Sequence, residues 1–115
     1  MQRNKAKANI QIDNKRVRVT EYSFNKNEET GFHVHQWDYL VIPQTDGLLL
    51  IIDDNGVETI ATLVKGLPYY REAGVSHNVI NNGKEKLVFI EIEIKAHSIW
   101  KFYVLAYCFS LLRKF

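Results

Sequence analysis

The stretch TGFHVHQWDYLVIP, Thr30 to Pro43, places two of the four histidines of the chain one residue apart, in a run whose residues favour a β-strand. Side chains two positions apart on a strand point to the same face, so His33 and His35 lie within reach of one bound ion. The spacing indicates a metal site. The pair alone also fits two imidazoles that are satisfied by hydrogen bonds or by solvent, so the interpretation depends on further ligands from elsewhere in the chain.

Length and composition indicate one small globular domain. The 115 residues are 46% hydrophobic and 24% charged, and the net charge of +2 is too small to indicate a polyanion as partner. The single cysteine, Cys108, excludes an internal disulfide. Residues 1–13 lack the apolar core of a secretory signal. We therefore expect a cytoplasmic protein that binds no nucleic acid.

Short runs rich in apolar residues and bounded by turn residues predict many short strands, and the first of them alternates apolar and polar positions. The runs are RVRVTEYSF (16–24), DYLVIPQT (38–45), LLLIID (48–53), VETIATLV (57–64), VSHNVI (75–80) and EKLVFIEIEIK (85–95). Two-residue turn signals separate several of them: Asp46-Gly47, Asn55-Gly56 and Asn82-Gly83. The first two turns predict two hairpins in series, and the last strand presents Phe89, Glu91 and Glu93 on one face. No helical period appears before the C-terminal end, so the pattern indicates an antiparallel sandwich or barrel.

A second motif lies in GLPYYREAGVSHNVIN (66–81), where His77 follows a glycine turn at the start of a strand. Its spaced residues are Gly66, Gly74, His77 and Asn81, with Glu72 in the place of a usual proline. Together with the His-x-His pair, they resemble the two motifs of small single-domain cupins. DYLVIPQTDG followed by YYREAGVSHNVIN is also similar to small cupins of bacterial catabolic operons, including those linked to β-alanine degradation.

The resemblance implies an all-β fold, a double-stranded antiparallel β-barrel of the cupin or jelly-roll type. The barrel is expected over residues 14–95, after an N-terminal arm or edge strand over residues 1–13.

The resemblance also implies that His33, His35 and His77 bind one divalent metal ion, and the ligand set suits iron, zinc, manganese or nickel without choosing among them. The family usually supplies a glutamate ligand shortly after the second histidine, and this chain departs from that pattern. Asp38 points away from the histidine face by strand parity, unless a bulge turns it, whereas Tyr39 points toward that face. Tyr39 is therefore the candidate catalytic residue, placing a phenol near the ion.

Arg71 and Tyr69, in the second motif, are candidate ligand-binding residues. A guanidinium binds a carboxylate through two parallel hydrogen bonds, which would make Arg71 an anion clamp at the barrel mouth. The alternatives are an Arg71 that only meets water and a Tyr69 that packs in the core with its hydroxyl near solvent.

Residues 96–115 form an apolar tail outside the resemblance, and its pattern defines no polar face at helical spacing. Its apolar span, Ile99 to Leu112, is shorter than the roughly 20 apolar residues of a membrane span and contains Lys101, so we expect no transmembrane segment. We expect a helix that packs on the barrel or against a second subunit, with attachment to a membrane surface through Arg113 and Lys114 as the alternative. The prediction is a homodimer, with these aromatic residues at or near the interface: Trp100, Phe102, Tyr103 and Phe109.

Three classes of function remain open at this point. The first is a metal-dependent cupin enzyme, oxygenase-like or isomerase-like, acting on a small polar or carboxylated metabolite. The second is a module that binds a small ligand without turnover. The third is a regulatory or structural dimer that keeps the fold and has lost the chemistry.

Overall fold

The computed structural model describes residues 2–95, which form two antiparallel sheets and no helix. The five-stranded sheet has the order β1-β2-β9-β4-β7 and the four-stranded sheet the order β3-β8-β5-β6. The strands are β1 (Lys7–Asp13), β2 (Val17–Phe24), β3 (His33–Val34), β4 (Asp38–Pro43), β5 (Gly47–Asp53), β6 (Glu58–Leu63), β7 (Tyr69–Arg71), β8 (Ser76–Asn81) and β9 (Leu87–Ile94). The all-β prediction is confirmed.

The sheets face each other as a sandwich, and the prediction of a closed barrel is wrong for the described residues. No strand ladder joins the edge strands β1 and β7 of the one sheet to the edge strands β3 and β6 of the other within residues 2–95. Alternating apolar residues require each sheet to have a buried face, but they do not determine whether sheet edges hydrogen-bond to each other. For this reason the pattern could not separate a barrel from a sandwich.

One of the two predicted serial hairpins is present. Asn55-Gly56 joins β5 to β6 in a hairpin, with Gly56 at a φ of 81°. Asp46-Gly47 instead connects β4 of one sheet to β5 of the other, so that hairpin prediction is wrong. A Cβ at Gly47 would lie 2.5 Å from Leu87 Cδ1. The glycine is therefore required by close packing against a buried leucine rather than by a hairpin turn.

The core lies between the sheets and continues into the cavity that contains the histidines. Its buried members are Phe24, Tyr39, Val41, Leu49, Leu63, Val79, Leu87 and Phe89. Asn81 closes one end, because its side chain donates to the carbonyls of Phe24 and Glu85 and accepts from the amide of Gly83. This residue thus works as a structural hydrogen-bonder at the strand end.

The predicted C-terminal helix and its aromatic interface residues fall in 96–115, outside the described residues. The homodimer accordingly stays a prediction. Within residues 2–95, the structure contains no helix long and apolar enough to cross a membrane.

Candidate metal centre

Three histidines from both sequence motifs converge between the sheets. His33 on β3 lies opposite His77 on β8 in the strand register, and His35 follows β3 directly. The Nε2 atom of His35 lies 3.0 Å from Nε2 of His33 and 3.1 Å from Nε2 of His77. The ligand atoms of the three residues all lie within 4.8 Å of one another. The predicted grouping of His33, His35 and His77 is therefore present in the fold.

Backbone hydrogen bonds hold His35 in place although the regular strand has already ended. Its amide donates to the carbonyl of Val75 over 2.9 Å, and its carbonyl accepts from the amide of Gly74 over 2.8 Å. Gly74 has a φ of 97°, a conformation that residues with a Cβ rarely adopt. The glycine of the second motif thus fixes the second histidine of the first motif.

The histidine nitrogens are arranged to bind a cation. Nδ1 of His33 lies 2.8 Å from the carbonyl oxygen of Gly31, which can only accept, so a neutral His33 carries its proton there and its lone pair on Nε2. Nδ1 of His35 faces the Glu91 carboxylate at 3.3 Å. A ring Nε2 carries either one proton or one lone pair, which points in a single direction in the ring plane. The Nε2 of His35 therefore cannot form good hydrogen bonds with both His33 and His77.

Electrostatics keep two of these imidazoles neutral, which is the form that binds metals. Burial, together with the charges of His33 and His77, lowers the pKa of His35 to about 3. Burial, together with the charges of His33 and Arg71, lowers the pKa of His77 to about 4. A set of three convergent imidazoles, two of which burial keeps neutral, fits the coordination of a divalent transition-metal ion.

Tyr39 and Asp38 point in the directions that strand parity predicts. The Tyr39 ring is 3% exposed and stacks on the His35 ring, with centroids 3.8 Å apart and planes 16° apart. Burial raises the pKa of the Tyr39 phenol well above its ordinary value. Asp38 points away from the histidines and accepts hydrogen bonds from the Tyr70 hydroxyl and, over 2.8 Å, from the Ala73 amide. The tyrosine, rather than the aspartate, therefore contacts the candidate metal centre.

The histidines border a first cavity of about 260 Å³. Its apolar walls are formed by Val41, Leu49, Ile51, Val75, Val79 and Phe89. Arg71 and Tyr69 also line this cavity, and the Arg71 Cζ lies 4.7 Å from the centre of the Tyr69 ring. Burial raises the pKa of Tyr69 to about 12. The first cavity thus combines apolar walls with one exposed guanidinium and protonated phenols.

A second cavity, of about 290 Å³, borders His33 and His35. Its other lining residues are mainly polar or aromatic: Arg18, Tyr22, Gln36, Trp37, Glu91 and Glu93. The Arg18 guanidinium lies 5.5 Å from the centre of the Trp37 ring. Tyr22 and Glu91 line both cavities.

Glu91 is the residue of this centre that the sequence reasoning did not assign. It lies on β9, is buried, and contacts His35. Burial, with the charge of Glu93, raises the pKa of Glu91 to about 7, and hydrogen bonding with Tyr22 offsets part of this increase. A signal was present in the sequence, because two carboxylates alternate with apolar residues on the same face as the buried Phe89.

Comparison with known proteins identifies relatives in sequence and in structure. No protein-family model matches the chain. The chain is 50% identical over 86 residues to the β-alanine degradation protein BauB of Pseudomonas aeruginosa, a match that covers 75% of this chain and 90% of BauB.

Solved structures agree with this relationship. A cupin domain from Bordetella pertussis Tohama I matches with a TM-score of 0.79 and 48% identity, covering 84% of this chain and 99% of that chain. A cupin superfamily protein from Desulfitobacterium hafniense DCB-2 matches with a TM-score of 0.63 and 19% identity, covering 84% and 83% of the two chains, and this match supports the fold alone. From these relatives and from its own two motifs, the chain belongs to the cupin family.

Proposed function

We propose that this cupin binds one divalent metal ion through His33, His35 and His77. The observation that carries the proposal is the convergence of three Nε2 atoms, two of them on imidazoles that burial keeps neutral. Imidazole ligands suit iron, nickel and zinc, and they also occur with manganese. Such an ion supplies a Lewis acid or, if it is iron, an oxygen-activating centre.

The ligand that this site fits best is a small polar or carboxylated metabolite in the first cavity. Arg71 supplies a permanent positive charge and a bidentate donor at the cavity wall, and Tyr69 holds the guanidinium by its ring face. The apolar walls accommodate the rest of the ligand, while the exposed guanidinium of Arg71 pairs with its charged end. A carboxylate is therefore a favourable anchor group.

Tyr39 has the role of a hydrogen-bond donor to the bound ligand. Its raised pKa keeps the phenol protonated at neutral pH, so the hydroxyl can donate to a ligand oxygen. Its ring also fixes the plane of the His35 imidazole by stacking. We assign oxygenase-like or isomerase-like chemistry to the site. The name of the relative BauB supports a substrate among the small acids of catabolism.

A second candidate function is the binding of the same ligand without turnover, as in a sensor or regulatory cupin dimer. One specific observation favours it: a buried tyrosine stands next to His35 where cupins usually present a glutamate ligand. Oxygen uptake and product analysis with the metal-loaded protein and small carboxylic acids separate the two. Ligand binding without any product would favour the sensor.

Elemental analysis of protein purified without an affinity tag or chelator tests the metal site. We expect about one ion per chain in the native protein and loss of that ion in His77→Ala, because two ligands bind a divalent ion much more weakly than three. His97→Ala removes one histidine outside the two motifs and is the matched control, which should retain the metal. A native protein that carries no metal and takes up no iron, manganese, nickel or zinc would contradict the proposal.

A further inference from the structure

We propose that Glu91 is a positioning residue of the metal centre: it accepts the Nδ1 proton of His35 and so directs the Nε2 lone pair of His35 toward the ion. This inference rests on the proposed metal-binding function. It assigns a role to a buried carboxylate that belongs to neither cupin motif of the chain.

The contact between Glu91 and His35 lies in the interior of the sandwich. Glu91 Oε1 is 3.3 Å from His35 Nδ1, and both side chains are only 7% exposed. A buried carboxylate is costly unless it has partners, and Tyr22 supplies only one of them. An Nδ1 proton directed at the carboxylate provides another, and metal-binding histidines in proteins commonly have such a partner on their other nitrogen.

His35 is the histidine for which the choice of tautomer matters most. Its Nε2 is the central one, within 3.1 Å of the Nε2 atoms of both His33 and His77. A proton on this atom would occupy the position where the ion is expected. A proton on Nδ1 leaves the lone pair of Nε2 directed between the two neighbouring rings.

Two contacts together determine the orientation of the His35 ring. Tyr39 stacks on its face and restricts tilting of the ring, whereas Glu91 acts at its edge and selects the tautomer. His33 has the corresponding partner in a backbone carbonyl, that of Gly31, which no side-chain substitution removes. Glu91 is therefore the partner whose role a substitution can test.

Glu91 is not itself arranged as a ligand. It contacts Nδ1 of His35, whereas the three convergent nitrogens are the Nε2 atoms on the other side of the ring. The same carboxylate oxygen cannot hold the Nδ1 proton and also reach an ion at Nε2. The carboxylate thus acts through His35.

The direct test is the protonation pattern of the His35 ring in chelator-treated protein, measured by ¹⁵N NMR of the imidazole nitrogens. We expect the Nδ1-protonated tautomer in the wild type. In Glu91→Leu, which removes the acceptor and keeps similar bulk, we expect the population to move toward the Nε2-protonated tautomer. Glu93→Gln, on the same face two residues away, is the matched control and should leave the His35 tautomer unchanged.

The second test is the affinity for Zn²⁺ or Co²⁺, measured by competition with a chelator. Substitution of such partners typically weakens metal binding about 10- to 100-fold, and we expect this loss in Glu91→Leu. Glu91→Gln keeps a carbonyl oxygen that can accept from Nδ1, so most of the affinity and the wild-type tautomer should be retained. The visible spectrum of bound Co²⁺ should change in Glu91→Leu and not in Glu93→Gln.

Two results would overturn the proposal: a wild-type His35 that is protonated on Nε2, or a Glu91→Leu protein with wild-type tautomer and metal affinity. Should Glu91→Leu fail to fold, Glu91→Gln decides, because a loss of affinity as large as 100-fold with the acceptor retained contradicts the positioning role. A wild type that binds no metal would refute the proposed function instead. The tautomer measurement needs no metal, so the two failures are distinguishable.

Discussion

The two cavities beside the histidines differ in what surrounds them. The first is walled mainly by aliphatic side chains of the core and carries Arg71, whereas the second is lined by Arg18, Gln36 and Glu93, and Glu91 borders both. A charged ligand gains more from a guanidinium beside apolar walls than from one among competing carboxylates and water. We therefore expect the ligand of the proposed function to bind in the first cavity.

The largest effect is expected on the free energy of unfolding, for a residue that both lines the first cavity and belongs to the hydrophobic core. Leu49 is 1% exposed and packs in the central cluster. Leu49→Ala should lower the free energy of unfolding by about 2–5 kcal/mol, because it removes buried contacts and leaves a void. Leu48→Ala, at a neighbouring residue that is 38% exposed, should cost less than about 1 kcal/mol. Urea denaturation compares them, and equal losses would show that the wall of the first cavity is not part of the core.

A smaller effect distinguishes the two arginines. Arg71→Leu should weaken binding of short monocarboxylates, from acetate to butyrate, by about 1.5–3 kcal/mol, since a hydrogen-bonded ion pair is lost. Arg18→Leu, in the second cavity, should leave this affinity unchanged. Titration calorimetry on the metal-loaded protein measures both. If only Arg18→Leu weakens binding, the ligand occupies the second cavity and the comparison is reversed.

The smallest effect is a pH dependence of stability that comes from His77, which lines the first cavity. The pKa of His77 is lowered from 6.5 to about 4 by burial and by the charges of His33 and Arg71, so the unfolded chain binds a proton between these values and the folded chain does not. Stability from His77 is therefore present above about pH 6.5 and is lost as the pH falls toward 4.

His77→Gln isolates this contribution in chelator-treated protein. The excess unfolding free energy of the wild type over His77→Gln should decrease by about 1.4 kcal/mol between about pH 7.5 and about pH 5.5. The raised pKa of Glu91 acts in the opposite direction, but it is present in both proteins and largely cancels. A difference that does not vary with pH would mean that His77 is not held neutral in the folded protein.

Strand parity predicted that His33 and His35 share a face and that Asp38 and Tyr39 point in opposite directions, whereas His77 was grouped with them through the resemblance to cupins. These orientation predictions depend on the alternation of side chains along an extended chain. The alternation continues from His33 to Tyr39, although the regular strand ends between His33 and Asp38. Local rules of this kind need no knowledge of which strands pair. They therefore predicted the orientations of the site residues that lie close together in sequence, within residues 33–39.

The role of Glu91 and the placement of β4 and β5 in different sheets depend on information that the sequence does not contain locally. Glu91 reaches His35 only because β9 lies in the middle of the five-stranded sheet, opposite the histidine strands. Asp46-Gly47 carries the residues of a hairpin turn, but its glycine is explained by the proximity of Leu87, far away in sequence. Contacts between residues far apart in sequence therefore explain both Glu91 and Gly47, whereas turn residues indicate only where the chain changes direction.

The hydrogen bonds of Asp38 affect the entropy of ligand binding. This residue anchors Tyr70 and Ala73, which lie on either side of Arg71, and the Arg71 guanidinium rests on the Tyr69 ring and donates to the Tyr70 carbonyl over 2.9 Å. The backbone that presents the guanidinium is thus ordered before any ligand arrives. A ligand then has little loop disorder to remove on binding, which favours tight binding of a very small molecule from few contacts.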